Sequence, residues 1–170
     1  GDGNTMWVAH NDGRLYRSSN ATAATPTWVA VDDNAGLDPL PSRYITRLAI
    51  DPTNHSVVWA TMGGFASGNV RVTRDGGLGW SDASGVGARR LPDAPVNCIV
   101  LHPDDPNVLY VATEVGVFAS DDAGQSWSAN NDGPNNAPVE QVVFEQGSRK
   151  LIAATLGRGL WTCDVHRPSA

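Results

Sequence analysis

The sequence predicts an all-β protein built from β-propeller blades, each of four antiparallel strands. Three observations support this prediction: the composition, a repeated apolar pattern and a repeated turn motif. Of 170 residues, 18 are Gly and 11 are Pro, while only 18% are charged. This composition suits short strands and tight turns better than long helices. A net charge of −6 at pH 7 lacks the basic surface of a general nucleic-acid binder. No apolar run approaches the roughly 20 residues of a membrane span.

The apolar pattern returns at intervals that are typical of propeller blades. Val58-Trp59-Ala60-Thr61 recurs as Tyr110-Val111-Ala112-Thr113 and as Ile152-Ala153-Ala154-Thr155, and Trp7-Val8-Ala9-His10 is a fourth copy. The aligned alanines stand at positions 9, 60, 112 and 154, so the period is 42 to 52 residues. A period of this size, with turn residues between short apolar runs, predicts four strands per repeat.

The strands follow one another from the inner strand, at the central channel, to the outer strand at the rim. A first blade over residues 6–31 lacks its inner strand, full blades span 44–83 and 96–129, and a last blade over 139–165 lacks its outer strand. Asp51-Pro52 and His102-Pro103 mark turns, because proline fixes φ and an Asp side chain bonds back to the backbone. The chain, 1–170, is therefore predicted to be one partial propeller of three and a half to four blades, an incomplete ring.

The turn after the third strand carries the most specific motif, Ser/Thr-x-Asp-x-Gly-x-x-Trp. We expect its Asp carboxylate to accept backbone N–H groups across the hairpin and its Gly to supply a positive φ. The Trp should pack between neighbouring blades. In the second blade, Gly79 stands where the third blade has a hydroxyl residue before Trp. The motif residues are Thr73, Asp75, Gly77 and Trp80 in the second blade, and Ser120, Asp122, Gly124, Ser126 and Trp127 in the third.

These motifs resemble the Asp-box, also called the bacterial neuraminidase repeat, over nearly the whole chain. The chain looks nearest to the secreted xyloglucanase-like, sialidase-like and sortilin-like propellers. The phrase Gly157-Arg158-Gly159-Leu160-Trp161 is similar to the strand that ends the final blade in the xyloglucanase-like group. The resemblance implies that the Asp-box residues are structural rather than catalytic. It also implies a secreted or extracytoplasmic bacterial protein.

Ligands of propellers bind at the channel mouth, where the turns between second and third strands meet the connections between blades. The residues predicted to face a ligand there are Arg43, Tyr44, Glu114 and Arg158. A glycosidase needs two carboxylates about 5–5.5 Å or about 6.5–9.5 Å apart. No spacing selects such a pair among the candidates, so the catalytic residues stay unassigned. Those candidates are Asp38, Asp93, Asp132, Glu114 and Glu140.

Metal and redox chemistry have little support in the sequence. Cys98 and Cys163 lie in apolar runs and match no zinc spacing, so two buried free thiols are favoured over a disulfide. The four scattered histidines are expected in loops or at the surface. Residues 32–38 read Asp-x-Asn-x-Gly-x-Asp, like a calcium loop, but lack the Glu five residues later, which favours ordinary loop chemistry. Neither a metal nor another cofactor is predicted.

Two functional hypotheses follow. In the first, the chain is the C-terminal part of a secreted propeller related to polysaccharide-acting glycoside hydrolases, and is not catalytic alone. In the second, it is a non-catalytic module that binds a protein or a glycan, or serves a structural role. Both need a partner that closes the ring: the remainder of a longer propeller, or a second copy of the chain around a two-fold axis. A polysaccharide is the expected ligand.

Overall fold

The computed structural model describes residues 3–32, 40–128 and 133–165. Over these ranges the chain forms thirteen strands and one short 3₁₀ helix, Gly87–Arg89. The strands are β1 (Met6–Ala9), β2 (Leu15–Ser18), β3 (Val29–Ala30), β4 (Ile45–Ile50), β5 (Val58–Met62), β6 (Val70–Thr73), β7 (Ser81–Asp82), β8 (Val96–His102), β9 (Asp105–Thr113), β10 (Gly116–Ser120), β11 (Val139–Glu145), β12 (Lys150–Thr155) and β13 (Gly159–Asp164).

The strands form four antiparallel sheets, each made of strands that are consecutive in the chain. The sheets are β1–β2–β3, β4–β5–β6–β7, β8–β9–β10 and β11–β12–β13. In the third sheet the place of an outer strand is taken by Ser128, whose N–H donates to Ala119 O at 2.8 Å. The predicted all-β class is confirmed, and the repeated up-and-down sheets are the blades of a propeller.

Apolar clusters between consecutive sheets hold the blades together. One lies between the first and second sheets around Trp80, and another lies between the second and third around Trp127. A third cluster, which includes Cys98 and Val142, lies between the third and fourth sheets. All five residues of β5 are buried, whereas all six of β13 are exposed. The inner packing is therefore complete around the second sheet and open at the fourth.

Each inner strand contains an irregularity at its second residue. The pairing shifts after Ile45, after Val96 and after Val139, so that Thr46, Asn97 and Glu140 are skipped in the register of Cα partners. The same pairing matches Thr61, rather than Ala60, with Ala112 and Ala154. The alignment on alanine was thus one residue out in the second sheet, because strand register depends on pairing that a linear pattern does not contain.

The turns after β6 and β10 are closed by short hydrogen bonds. Asp75 Oδ1 accepts the N–H groups of Leu78 and Gly79 at 2.9 and 3.1 Å. Asp122 Oδ1 accepts Ser126 N–H at 2.8 Å, and its Oδ2 accepts the Ser126 hydroxyl at 2.7 Å. The following indoles reach the preceding sheet: Trp80 Nε1 donates to Val31 O at 2.7 Å and Trp127 Nε1 to Ala83 O at 3.0 Å.

Two expectations about buried groups were wrong. Cys163 was expected to be buried but is exposed, because β13 is the last strand of the fourth sheet and has no neighbour over it among the described residues. Cys98 is buried, and both thiols are free rather than joined in a disulfide. His102 was expected in a loop or at the surface but is 1% exposed, since it ends β8 and packs edge-to-face with the ring of Phe144 from the next sheet.

Some predictions fall outside the described residues. The calcium-like pattern lies largely within residues 33–39, and the carboxylate candidates Asp38 and Asp132 lie in 33–39 and 129–132.

Candidate ligand-binding face

Three equivalent backbone hydrogen bonds gather the predicted ligand-facing residues at one end of the sheets. Gly63 N–H donates to Tyr44 O at 2.9 Å, and Leu156 N–H donates to Pro138 O at 2.9 Å. Between them, Glu114 N–H donates to Pro95 O at 3.2 Å. Each bond ties the turn after a second strand to the residue before an inner strand. We call this end the mouth face; it comprises residues 43–46, 63–69, 94–97, 114–115, 135–140 and 156–158.

The bulged residues of the inner strands form a polar row across the mouth face. Thr46 Oγ1 donates to Val96 O of the next sheet at 2.5 Å. At the equivalent place one sheet further on, Asn97 Nδ2 donates to Val139 O at 3.1 Å. Bulges redirect side chains and are common beside functional sites. The third member of the row, Glu140, is exposed on the last sheet and carries a carboxylate where its two counterparts carry donors.

Asn97 also binds Glu114, the one carboxylate residue that the sequence predicted to face a ligand. Its Nδ2 lies 2.9 Å from Glu114 Oε1, so a single amide group bridges the Glu114 carboxylate and Val139 O. Glu114 is half-buried. Since Val139 immediately precedes Glu140, this bridge brings Glu114 close to the start of the strand that carries the second carboxylate of the mouth face.

Arg43 is half-buried, and its side chain contacts the 63–69 turn of the mouth face. Its guanidinium donates to Asn69 Oδ1 at 2.6 Å and to Ser67 O at 3.0 Å. Burial, together with the positive charge of Arg71, lowers the pKa of Arg43, but an arginine remains charged at any ordinary pH. Asn69 then donates to Gly64 O and Ala94 O at 2.9 and 2.8 Å. Arg43 thereby stiffens the 63–69 turn and holds it against the next blade connection.

Two aromatic side chains stand exposed beside this network. Tyr44 is 51% exposed and Phe65 is 79% exposed. The Tyr44 ring lies beside the turn, since a Cβ built on Gly63 would be 3.4 Å from Tyr44 Cδ1. Exposed aromatic rings on a stiffened turn can stack against flat apolar surfaces of a ligand.

Arg158 lies on the exposed turn between β12 and β13. Its Nη1 donates to Asn135 O at 3.3 Å, and its carbonyl oxygen accepts the Trp161 indole N–H at 3.2 Å. The guanidinium is therefore weakly held and exposed at the end of the mouth face.

The remaining carboxylate candidate within the described residues takes part in an ion pair. Asp93 forms an ion pair with Arg90 at 3.9 Å. Sequence reasoning missed Thr46, Asn97 and Asn69, because their positions depend on bulges and on contacts between blades. In the sequence, the only sign of the bulges was a polar residue at the second position of each inner strand.

Comparison with known proteins shows the fold. No family model and no curated protein sequence matches the chain. An ancestral GH74 enzyme matches 98% of this chain at 15% identity and a TM-score of 0.67. The GH74 xyloglucanase from Xanthomonas campestris matches 95% at 17% identity and a TM-score of 0.60. The extracellular domain of a B. thetaiotaomicron protein assigned to the hybrid two-component systems matches 95% at 13% identity and a TM-score of 0.71.

The chain spans only part of these neighbours, between 22% and 27% of their lengths. Likeness at this level of identity extends to the propeller fold and to no residue of their sites. The neighbours include enzymes and extracellular domains. No helix within the described ranges is long and apolar enough to cross a membrane.

Proposed function

We propose that this chain supplies a glycan-binding mouth face to a secreted Asp-box propeller related to the polysaccharide-acting glycoside hydrolases. The observation that carries the proposal is the row of bulged residues, Thr46, Asn97 and Glu140, which redirects one polar side chain per inner strand to the same end of the sheets. Exposed Tyr44 and Phe65 flank this row. Polar groups fixed in place beside exposed aromatic rings suit a ligand that has both hydroxyl groups and apolar faces.

The fold shared with two GH74 proteins is compatible with a carbohydrate ligand. The turn geometry around Asp75 and Asp122 supports the Asp-box assignment, since both carboxylates are occupied by hairpin N–H groups at the end of the sheets away from the mouth face. We assign these two residues a structural role only.

We further propose that the chain alone does not hydrolyse glycans. One oxygen of Glu114 is held by Asn97, and no spacing in the sequence pairs this carboxylate with Glu140 or with another candidate. The catalytic acids would then come from another part of the complete ring. That part would be the remainder of a longer propeller or a second copy of this chain, in keeping with the exposed faces of the first and fourth sheets.

Calorimetric titration with β-glucan, mannan and sialoside oligosaccharides tests the binding proposal. We expect a β-glucan, with xyloglucan oligosaccharides foremost, to bind, and Tyr44→Ala to weaken that binding by about tenfold or more. Leu78→Ala is the matched control, because Leu78 is 65% exposed on a hairpin turn at the opposite end of its sheet. If no oligosaccharide binds, or if both variants lose affinity equally, the mouth face is not the glycan site.

A second candidate function is a non-catalytic receptor or structural module that binds a protein. It is favoured by the likeness to an extracellular domain of a two-component system. Hydrolysis assays on the same glycan panel separate both candidates from an enzyme. Robust turnover by this chain, lost in Glu114→Gln, would overturn both the binding-module hypothesis and our statement that the chain is not catalytic alone.

A further inference from the structure

An arginine side chain lies between the first and second sheets, at the end of the sheets away from the mouth face. Arg17 of β2 reaches across to the hairpin turn of the second sheet, where its Nη1 donates to Gly76 O at 3.2 Å. Its Cζ lies 5.5 Å from the centre of the Trp7 ring. A cation within about 6 Å of an indole face is attracted to it. The protein's own guanidinium therefore occupies this end of the first junction.

The junction between the second and third sheets has no arginine at the equivalent position. Trp7 pairs with Arg17 across the first sheet, and Trp59 pairs with Val72 across the second, so Val72 is the counterpart of Arg17. Both indoles are buried, and both leave the ring N–H without an acceptor among the described residues. A valine side chain ends at its Cγ atoms and cannot reach the next hairpin turn as a guanidinium does.

Two adjoining cavities border the counterparts of the groups that Arg17 contacts. One of about 410 Å³ has Trp59 and Ala123 among its walls, and one of about 280 Å³ has Val72 and Ala123. Ala123 is the counterpart of Gly76, since each stands three residues after the hydroxyl residue that begins its turn motif. No described donor bonds to Ala123 O, whereas Gly76 O accepts from Arg17. The second junction thus keeps the indole and the carbonyl group of the first without the cation.

The charges around the larger cavity favour a cation. Asp51, Asp121 and Asp122 are among its walls, and Arg74 is the one cationic residue on its described wall. Asp51 is only 7% exposed, and the hydrogen bonds that it accepts all use Oδ1, which leaves Oδ2 available. Asp121 is exposed and takes part in no ion pair with a described residue. A wall with three carboxylates and one guanidinium attracts positive charge.

We infer that the second junction binds a ligand that carries a guanidinium group, which enters the cavity of about 410 Å³ beside Trp59. The group repeats the contacts of Arg17, because it packs against the Trp59 indole and donates to Ala123 O. Asp51 and Asp121 accept its remaining N–H groups in charge-assisted hydrogen bonds. A guanidinium is planar, so it can pack on a ring and donate within its own plane. The site lies at the opposite end of the sheets from the mouth face, so the inference does not depend on the glycan proposal.

Titration of the isotope-labelled chain with N-acetyl-L-arginine amide, followed by NMR, tests the inference. The readout is the signal of the Trp59 indole N–H, assigned by its loss in a Trp59→Phe chain. We expect this signal to shift and to saturate at about millimolar ligand concentration, the weak end of specific binding. N-acetyl-L-citrulline amide is the matched control ligand, because it has the same shape without the charge. It should give no saturable shift over the same concentrations.

Two exposed residues on the cavity wall allow changes of opposite sign. Asp121→Asn removes an attracting charge and should weaken binding by about two- to fivefold, the size of one exposed ion pair. Arg74→Ala removes a repelling charge and should strengthen binding by a similar factor. Asp12→Asn is the matched control variant, because Asp12 is an exposed carboxylate on the turn between β1 and β2 and pairs with Arg14. It should leave the affinity unchanged.

Four results would overturn the inference. The first is an unshifted Trp59 signal at millimolar ligand concentration, and the second is an equal response to the arginine and citrulline compounds. The third is an equal loss of affinity in Asp121→Asn and Asp12→Asn, which would indicate attraction by the net charge of the chain rather than a site. The fourth is weaker binding in Arg74→Ala, because the ligand would then be held through an acceptor group rather than as a cation.

Discussion

At the scale of single residues, the two hairpin turns differ at the position that precedes the tryptophan. Ser126 Oγ donates to Asp122 Oδ2 at 2.7 Å, whereas the equivalent Gly79 has no side chain. A Cβ at Gly79 would lie 3.6 Å from Asp75 Oδ2, and the φ of Gly79 is not positive, so a serine fits without strain. The second turn therefore lacks the hydroxyl hydrogen bond that the third turn has at this position.

Gly79→Ser should stabilise the protein by about 0.5–1 kcal/mol, from a new bond to Asp75 and a less flexible unfolded chain. Urea unfolding measures the change, with Gly79→Ala as the control that isolates the backbone effect. Equal stability of the serine and alanine variants would mean that the hydroxyl makes no bond to Asp75.

Trp127 is the second residue-scale case, because its burial and its hydrogen bond act together. The side chain is 1% exposed and its Nε1 donates to Ala83 O. Trp127→Ala should cost about 3–5 kcal/mol in the free energy of unfolding. Trp28→Ala is the matched control, since Trp28 holds the equivalent place but is 42% exposed; we expect it to cost less than about 1 kcal/mol. Similar losses in the two variants would show that packing between sheets is not what the tryptophan contributes.

At the scale of elements, the ends of the inner strands share one device. Asp51 Oδ1 accepts Thr53 N–H at 2.7 Å, and Glu145 Oε1 accepts Gly147 N–H at 2.9 Å. Between them, His102 Nδ1 accepts Asp104 N–H at 3.1 Å. A histidine can do this only while Nδ1 is unprotonated. The turn after β8 is thus the one of the three whose acceptor is an imidazole.

Acid should therefore loosen the junction of the third and fourth sheets. Burial lowers the pKa of His102; Arg149 adds to this effect, while Asp104 and Asp105 oppose it. The ring also packs against Phe144. A base whose pKa is lowered in the folded state stabilises the fold fully above its unfolded pKa of about 6.5. This stabilisation is lost as the pH falls below that value.

We expect the melting temperature of the wild-type chain to fall between about pH 7 and 5 more steeply than that of His102→Asn. The asparagine keeps an acceptor for Asp104 N–H and does not titrate. Parallel pH profiles for the two proteins would assign the slope to other groups.

The hairpin turns titrate in a lower pH range. Hydrogen bonding from the Thr73 side chain lowers the pKa of Asp75. For Asp122, burial raises the pKa, but the bonds from Ser126 and Ser120 outweigh it and the pKa is lowered. A carboxylate with a lowered pKa stabilises the fold above its unfolded pKa of about 4 and ceases to do so as pH falls further. Asp122→Asn should accordingly flatten the acid limb of the stability profile, measured by urea midpoints at successive pH values; an unchanged limb would exclude this turn as its source.

At the scale of the whole molecule, stability should vary from sheet to sheet. β5 is buried along its whole length and lies between two tryptophan-filled junctions. β13 is exposed along its whole length beside an unfilled cavity. Local opening costs least where few apolar contacts are lost.

Hydrogen exchange followed by mass spectrometry should therefore find the amides of β5 and β9 slowest and those of β13 and β1 fastest. Uniform exchange across all four sheets would instead indicate a single cooperative unit.

The sequence by itself determined the class of fold, because turn chemistry and short apolar runs act locally. Asp-x-Gly turns close hairpins, proline ends strands, and a period of 42 to 52 residues leaves room for four strands. Local rules of this kind are visible in a linear pattern. They also located Arg43, Tyr44, Glu114 and Arg158 at connections that the structure brings to one end of the sheets.

The tertiary structure decided what depends on register and on neighbouring sheets. The bulges at Thr46, Asn97 and Glu140 shift the pairing by one residue, and a linear alignment on alanine cannot detect such a shift. The burial of His102 and the exposure of Cys163 follow from whether another sheet covers the strand, not from the apolar run in which each lies. The cavity between the third and fourth sheets, and the tryptophans that fill the two earlier junctions, depend on how neighbouring sheets face one another, because packing is a property of pairs of surfaces.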